Sequence, residues 1–248
     1  MGILEGKTAI VTGGSLGIGS AVALELGNDG ADVALNYRKH ATEAEAIAEK
    51  IRGMGRRAMV VQADVSSFDD AQGMVDKVKA EWGKVDILVC NAGINWDGVI
   101  WKMTEEQWDK VIGTNLKGYF NYVRAVAPVM REAKYGRIVC VTSINGLRGK
   151  FGQANYAASK GGIHALVKTV AKELGKYNVT VNAIAPGLIM TDMMAKMPDE
   201  AKQASMDETA VKRLGEPEDV AHVVSFFCSD FARHVTGEII KVDGGQYI

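Results

Sequence analysis

The sequence predicts an α/β fold, namely a Rossmann-like, doubly wound parallel sheet of about seven strands with helices on both faces. Short apolar runs recur along the whole chain, and they are near-continuously apolar, which is typical of parallel strands buried on both faces. Helical patterns fill the intervals between them, as right-handed crossovers require. The expected strands are Thr8 to Val11, Asp32 to Asn36, Ala58 to Gln62, Asp86 to Cys90, Arg137 to Thr142, Thr180 to Ile184 and Ile239 to Val242.

Length, composition and net charge limit the number of domains and the classes of binding partner. The chain has 248 residues, of which 47% are hydrophobic and 24% charged, enough for a sizeable core, and no repeat or linker divides it. We therefore expect one domain over residues 1–248. A net charge of −1 gives no strong field for nucleic acid or an anionic membrane. With no leader pattern and no long apolar run, a cytoplasmic protein is expected.

The cysteines give no sign of a metal site. Cys90, Cys140 and Cys228 are far apart, lack CxxC spacing and lie in apolar surroundings, so buried thiols are expected.

The second helix carries a local start signal. Thr42 and Glu45 have the spacing of a capping box, which predicts that the helix begins there. Its apolar stripe is Ala44, Ile47, Ala48 and Ile51.

The segment 187–213 breaks the strand–helix rhythm, and Pro198 interrupts it. Its methionines are Met190, Met193, Met194, Met197 and Met206. Because methionine is flexible and polarizable, the segment suits a lid over an apolar ligand. A surface helical hairpin packed on the body or on another subunit is the alternative.

A glycine-rich turn follows the first strand and opens the first helix, where free backbone amides bind a diphosphate. Gly13 permits the tight turn, Gly17 allows close approach of the diphosphate, and Gly19 lets the helix pack on the sheet. Ser15, Leu16 and Ile18 complete this candidate dinucleotide site.

Residues Gly13 to Gly17 also match the G-x-S-x-G nucleophile elbow of a serine hydrolase, with Ser15 as the nucleophile. Only twelve residues precede the turn, which leaves no earlier strand loop for an oxyanion hole. The later histidines His164, His222 and His234 look helical or near a helix end rather than placed in a loop after a late acid, so this alternative is remote.

Other candidates lie at the same carboxyl edge of the sheet, where open α/β folds bind ligands. Asn91, Ala92 and Gly93 close the fourth strand, and Asp64 with Val65 closes the third, where the carboxylate would face adenine. An ordinary strand-ending turn and a plain cap of the next turn are the structural alternatives.

Tyr156 and Lys160 stand four residues apart, which places a phenol and an ammonium on one helix face. A nearby cation lowers the pKa of a phenol, but a shift of ~3 units needs roughly 4 kcal/mol. One ammonium does not supply that much. A second positive centre, such as an oxidised nicotinamide ring, would.

With TGxxxGxG, Asn-Ala-Gly, a serine ending the fifth strand and YxxxK in order, the chain resembles the short-chain dehydrogenase/reductase family over essentially its full length. The resemblance implies that Tyr156 donates a proton to a carbonyl and that Lys160 lowers its pKa and binds the nicotinamide ribose. Ser143 would bind the substrate oxygen, and Asn115 would hold a relay water. Taken singly, Ser143 could end a strand and Asn115 could kink its helix.

Further roles follow from the resemblance. Pro186, Gly187, Ile189 and Thr191 match the segment that contacts the nicotinamide. A homotetramer is implied, paired through the Tyr156 helix and the helix near Asn115. His164 is expected to be a packing or interface residue.

The end of the second strand should select the nicotinamide cofactor. Asn36 and Tyr37 lead there to Arg38 and Lys39, two cations that suit a 2′-phosphate, so NADP(H) is preferred and NAD(H) is possible. Asp32 lies at the opposite end of that strand. Leu16 stands where many NADP-dependent relatives have a basic residue.

The segment before Tyr156 is similar to that of 3-oxoacyl carrier-protein and acetoacetyl-CoA reductases, and Phe151 and Gln153 would flank a short oxoacyl thioester. Trp96 stands where a basic residue is common in them. An acidic carrier protein would need a basic surface on this chain. The candidate residues are Arg131, Lys134, Arg137, Lys168, Lys172 and Lys176. They are equally well explained as ordinary surface charges.

The expected activity is NADPH-dependent reduction of a 3-oxoacyl thioester carried by CoA or acyl carrier protein. Alternatives are a dehydrogenase of another secondary alcohol or of a cyclic or aromatic-pathway hydroxyacyl-CoA, and a non-catalytic nicotinamide-binding subunit.

Overall fold

The computed structural model describes residues 2–191, 194 and 198–248, and its seven strands form one parallel sheet in the order β3-β2-β1-β4-β5-β6-β7. The strands are β1 (Thr8–Val11), β2 (Asp32–Tyr37), β3 (Ala58–Gln62), β4 (Ile87–Cys90), β5 (Gly136–Val141), β6 (Val179–Pro186) and β7 (Ile239–Val242). Every expected strand is present, with each end within two residues of its predicted position. The α/β, doubly wound prediction is confirmed.

Helices cover both faces of the sheet. They are α1 (Gly17–Asn28), α2 (Ala41–Gly53), α3 (Phe68–Trp82), α4 (Glu105–Ile112), α5 (Gly118–Ala133), α6 (Asn145–Arg148), α7 (Ala154–Leu174), α8 (Asp199–Asp207) and α9 (Pro217–Cys228). A π-helical turn, Gly113–Lys117, joins α4 to α5. Tyr122 and Val167 belong to the core on the α5 and α7 face, and Leu26 and Phe227 to the core on the α1 and α9 face.

Burial across the sheet matches the sequence pattern at its centre. Every residue of β1, β4, β5 and β6 is buried. The edge strands β3 and β7 are only partly buried, because each has a neighbour on one side only.

The predicted capping box of α2 is wrong. The helix begins at Ala41 with His40 at the N-cap, and no side chain caps it, so Thr42 already lies in the first turn. The apolar stripe of Ala44, Ile47, Ala48 and Ile51 is buried as expected. The apolar stripe was thus predicted correctly and the local start signal was not.

The segment 187–213 contains α8. Met190, Met194 and Met206 are partly buried, whereas Met193 and Met197 lie outside the described residues. Closure of this segment over a ligand stays a prediction.

Candidate active site

The site forms where β1 and β4 lie side by side and the chain order of the sheet reverses. Thr12 Oγ1 accepts hydrogen bonds from the backbone N–H groups of Asn91 (2.9 Å) and Ala92 (3.1 Å). In return, Asn91 Nδ2 donates to the carbonyl oxygens of Thr12 and Gly13, both at 3.1 Å. The Asn91 amide therefore ties the two strand ends together. Thr12, which the sequence did not mark as a site residue, is its partner.

At Gly13 and Gly19 the glycine-rich turn has no room for a side chain. A Cβ on Gly19 would lie 2.1 Å from the Gly13 carbonyl oxygen, and Gly13 itself has φ +62°. Leu16 at the N-cap of α1 makes no side-chain capping bond, and the first turn contains no acid. The backbone amides of this helix start thus face no competing anion. The turn fits the diphosphate of a dinucleotide.

The side chain of Asn36 supports the turn from beneath. It is 2% exposed, its Oδ1 accepts from the Gly13 N–H at 2.8 Å, and its Nδ2 donates to the Ala63 carbonyl at 2.7 Å. Because both amide atoms have partners within the protein, the Asn36 side chain shapes the glycine-rich turn. Contact of Asn36 and of its neighbours with a cofactor stays a prediction.

Those neighbours are the partly buried Tyr37 and the exposed Arg38 and Lys39. Arg38 Nη1 lies 3.8 Å from Asp64 Oδ2, a long ion pair between side chains that are 40% and 34% exposed. Such a pair holds the guanidinium weakly, so Arg38 remains available to an anionic ligand.

Asp64 also completes a local turn, because its Oδ1 accepts from the backbone N–H and the hydroxyl of Ser66 at 2.9 and 2.6 Å. This is the plain capping role that the sequence left open. Val65 is buried against Gly118, where a Cβ would approach it to 2.9 Å. Asp32 lies at the amino end of β2, as predicted, and pairs with Arg57 at 2.7 Å.

Lys160 lies buried between β5 and the site. Its Nζ donates to the Val141 carbonyl at 2.9 Å and to the Tyr119 hydroxyl at 3.3 Å. Burial lowers the pKa of Lys160 to about 8, and the Cys140 and Cys90 thiols act in the opposite direction. One of its three hydrogens remains for a ligand.

Tyr156 lies one turn earlier on α7, with the Lys160 ammonium 5.7 Å from its ring centre. Burial raises the pKa of the phenol above its usual value, a hydrogen bond from Ser143 lowers it, and the Asp97 carboxylate raises it. The expectation that Lys160 lowers this pKa is therefore not met by the side chains alone. This agrees with the sequence argument that one ammonium does not lower the pKa of Tyr156 enough and that a second cation is needed.

Asn115 lies at the centre of the π-helical turn and is completely buried. Its Oδ1 accepts from the Ile94 N–H at 2.8 Å, while its Nδ2 donates to the Ile94 carbonyl at 2.9 Å and to Ser159 Oγ at 3.1 Å. A Cβ on Gly93 would lie 3.3 Å from Asn115 Oδ1 and 3.6 Å from Lys160 Nζ. Asn115 thus joins the Asn-Ala-Gly loop to α7.

The segment after β6 approaches the glycine-rich turn. A Cβ on Gly17 would lie 3.1 Å from Thr191 Cγ2, and a Cβ on Gly187 would lie 2.6 Å from Gln246 Oε1. Pro186 ends β6, and Ile189 is 5% exposed. Thr191 therefore lies beside the glycine-rich turn, while contact of Pro186, Gly187, Ile189 and Thr191 with a nicotinamide stays a prediction.

The two predicted substrate residues differ sharply in exposure. Phe151 is 84% exposed, whereas Gln153 is 8% exposed and bonded at both ends, its Nε2 to Asp97 (3.0 Å) and its Oε1 to Asn145 Nδ2 (3.1 Å). The Asn145 N–H in turn donates to Ser143 Oγ at 3.1 Å. Gln153 is therefore linked to Ser143 through Asn145, a residue that the sequence did not single out. Its contact with a substrate stays a prediction.

Asn155 was also missed. Its Nδ2 donates to the carbonyls of Trp96 (3.0 Å) and Gln107 (3.1 Å), which fixes the start of α7 beside Tyr156. Its only signal was its place next to the tyrosine.

The last observations concern the cysteines, metal-binding groups and membrane-spanning helices. The three cysteines are buried and free, as predicted. Within the described ranges, no three His, Cys, Asp or Glu side chains are grouped to hold a metal ion. Residues 2–191, 194 and 198–248 likewise contain no helix long and apolar enough to cross a membrane.

Comparison with known proteins agrees with this geometry. Residues 13–246 match the family described as enoyl-(acyl carrier protein) reductase. The 3-oxoacyl-[acyl-carrier-protein] reductases of Staphylococcus epidermidis and Thermotoga maritima are 44% and 41% identical, over 98% and 99% of this chain and 99% of each relative.

A solved structure, described as a putative short-chain alcohol dehydrogenase from Sinorhizobium meliloti, superposes with a TM-score of 0.94 at 33% identity. The match covers 98% of this chain and 97% of the other. The chain belongs to the short-chain dehydrogenase/reductase family and is an NAD(P)-dependent oxidoreductase acting on ketone or hydroxyl groups.

Proposed function

We propose that the protein reduces a 3-oxoacyl thioester to the 3-hydroxyacyl thioester with NADPH. The observation that carries the proposal is the grouping of Ser143, Tyr156 and Lys160 beside a turn that fits a diphosphate, in a chain 41–44% identical to 3-oxoacyl-[acyl-carrier-protein] reductases along its length. A nicotinamide cofactor held in this crevice would supply the hydride. Tyr156 gives its proton to the carbonyl oxygen, and the Ser143 hydroxyl orients that oxygen.

The preference for NADPH rests on Arg38 and Lys39. Both are exposed at the carboxyl end of β2, where the adenosine ribose of a dinucleotide lies in this fold. Arg38 has only a long ion pair to Asp64, so a 2′-phosphate can replace that contact with a shorter one. NADH lacks this phosphate and is the weaker candidate.

The thioester carrier is CoA or acyl carrier protein. Of the basic residues proposed for a carrier surface, Arg137 is 1% exposed and pairs with Asp230, so it cannot belong to such a surface. The other five, which are exposed, are Arg131, Lys134, Lys168, Lys172 and Lys176.

A second candidate substrate is a cyclic ketone or another secondary alcohol with an apolar body. It is favoured by the exposed aromatic side chains near the site, Trp96 at 42% and Phe151 at 84%. The Gly98 N–H donates to the Gly152 carbonyl at 2.8 Å, which brings the loops of these two side chains together.

We also propose a homotetramer paired through α5 and α7. Trp108 on α4 and Phe120 on α5, exposed by 39% and 47%, support an apolar subunit contact there. Light scattering at micromolar concentration should give four times the mass of the chain, and a monomer would refute this assembly.

The activity test follows NADPH and NADH oxidation separately with acetoacetyl-CoA, a 3-oxoacyl carrier protein, a crotonyl thioester and cyclohexanone. We expect turnover of the two 3-oxoacyl thioesters with NADPH. Turnover of the crotonyl thioester or cyclohexanone alone would replace the substrate assignment, and faster reaction with NADH would replace the cofactor assignment.

A further inference from the structure

His164 is a buried histidine that the proposed reaction does not use. It lies on α7 one turn after Lys160, is 7% exposed, and has Nε2 3.0 Å from Thr142 Oγ1. Thr142 directly precedes Ser143 at the end of β5. The contact therefore joins the helix that carries Tyr156 to the strand end that carries the serine.

The direction of this hydrogen bond follows from the second contact of Thr142. Its Oγ1 lies 2.9 Å from the Ile184 carbonyl oxygen, and two oxygen atoms at that distance require a hydrogen between them. The single hydroxyl hydrogen is thus given to Ile184, and His164 must donate from Nε2. Burial and the nearby Lys168 and Lys160 charges lower the pKa of His164 to about 4, so the ring is neutral with its hydrogen on Nε2.

Two bonds of this kind hold α7 on β5. Lys160 and His164, four residues apart, reach the adjacent residues Val141 and Thr142. Lys160 has a second task at the cofactor in the proposed reaction, whereas His164 has none.

The backbone around Ser143 is fixed on the other side by β6. The Thr142 N–H donates to the Ile184 carbonyl at 2.7 Å, and the Ile144 N–H donates to the Pro186 carbonyl at 3.1 Å. Ser143 stands between these two anchors. A shift of Thr142 relative to α7 would change the separation of the Ser143 hydroxyl and the Tyr156 phenol.

We propose that His164 is a positioning residue that donates from Nε2 to Thr142 and thereby sets the distance between Ser143 and Tyr156. The inference rests on the proposed catalytic role of Ser143. It assigns His164 no contact with substrate or cofactor.

The kinetic test compares wild type, His164→Leu and His164→Gln with NADPH and acetoacetyl-CoA. The leucine keeps the volume but cannot donate, so kcat should fall about tenfold while KM for NADPH stays unchanged. Glutamine offers a side-chain N–H at a similar reach and should restore most of the rate. In a Ser143→Ala background, His164→Leu should cause no further fall in kcat. An equal fall in both backgrounds would overturn the proposal.

The matched control is His222→Leu, which removes a 65% exposed histidine that pairs with Glu25 at 3.8 Å. It should leave kcat unchanged.

Nitrogen-15 NMR of the imidazoles tests the hydrogen bond without any turnover. His164 should show a protonated Nε2 and a bare Nδ1 at pH 7, and the opposite tautomer would disprove the donation. This measurement separates failure of the inference from failure of the thioester assignment. It needs only the wild-type protein, even if the leucine variant does not fold.

Discussion

Lys160 donates a hydrogen bond to the carbonyl oxygen of Val141, the last residue of β5, at 2.9 Å. The Tyr119 hydroxyl donates to the same oxygen at 2.6 Å. This carbonyl therefore fixes the Lys160 ammonium on the central sheet. The position of Lys160 does not depend on Tyr156, and the ammonium keeps one hydrogen for a ligand.

The pKa of about 8 at Lys160 predicts a basic limb in the pH profile. The side chain is charged below that pH and loses its proton above it, so kcat/KM should fall about tenfold per pH unit at higher pH. The folded-state pKa lies below the ordinary value of 10.5, so between the two values the unfolded chain binds more protons. The Lys160 contribution to the free energy of unfolding should thus rise with pH while activity falls.

Measuring kcat/KM from pH 6 to 10 gives the effect on activity. Urea unfolding of wild type and Lys160→Met at each pH gives the effect on the free energy of unfolding. A flat profile to pH 10 would refute the assignment.

Tyr156→Phe should lower kcat by about 10² to 10⁴, because the phenylalanine has no proton to give. Ser143→Ala should lower kcat by about 10² through loss of a donor to the substrate oxygen. Neither change touches the glycine-rich turn, so the NADPH dissociation constant measured by fluorescence should stay the same. A Tyr156→Phe protein that keeps its full rate would exclude this tyrosine as the proton donor.

Gly19→Ala should abolish nicotinamide binding. The added Cβ would lie 2.1 Å from the Gly13 carbonyl oxygen and 2.4 Å from Asn91 Nδ2, and both groups shape the diphosphate turn. Overpacking of this kind costs about 1–3 kcal/mol of stability. Gly53→Ala is the matched control, since its Cβ meets nothing within 4 Å, and it should stabilise the fold by up to about 1 kcal/mol. Calorimetry of NADPH binding and thermal unfolding of both variants provide the measurements.

Replacing Arg38 and Lys39 together with alanine should raise KM for NADPH at least about tenfold, because a charge-assisted hydrogen bond contributes about 1.5–3 kcal/mol. KM for NADH should hardly change, since that cofactor has no 2′-phosphate. Equal effects on the two cofactors would show that these side chains act on the fold of the loop.

Asp230→Asn should destabilise the protein by about 2 kcal/mol. The carboxylate accepts from Arg137 Nη2 at 2.9 Å, and that arginine side chain is only 2% exposed. The change would leave a buried guanidinium without its counter-ion. Asp199→Asn, at a 99% exposed carboxylate that pairs with Lys202, should cost less than about 0.5 kcal/mol. Urea unfolding compares the two.

The strands and the placement of Tyr156 and Lys160 on one helix were predictable because each depends on a local pattern. Buried parallel strands read as apolar runs, and Tyr156 and Lys160 share a helix face by spacing alone. The position of the glycine-rich turn after β1 was equally local.

Contacts between distant parts of the chain were not predictable. Ligand contacts of Asn36, Asn91 and Gln153 stay predictions, but the structure adds partners that the sequence did not indicate. The amides of Asn36 and Asn91 hold the Gly13 turn in place, and the Gln153 amide is bonded to Asp97 and Asn145. An amide side chain gives the same sequence signal whether its partner is a ligand or a backbone group.

The π-helical turn Gly113–Lys117 sets the phase between α4 and α5. Such a turn is in effect one residue inserted into an α-helix, and each residue of an α-helix turns the chain by about 100°. Removing a single residue here would join α4 and α5 into one regular helix. It would also rotate the apolar face of α4 away from α7. A change of length in this stretch would therefore disturb the packing of α4, even though the shortened helix would be regular.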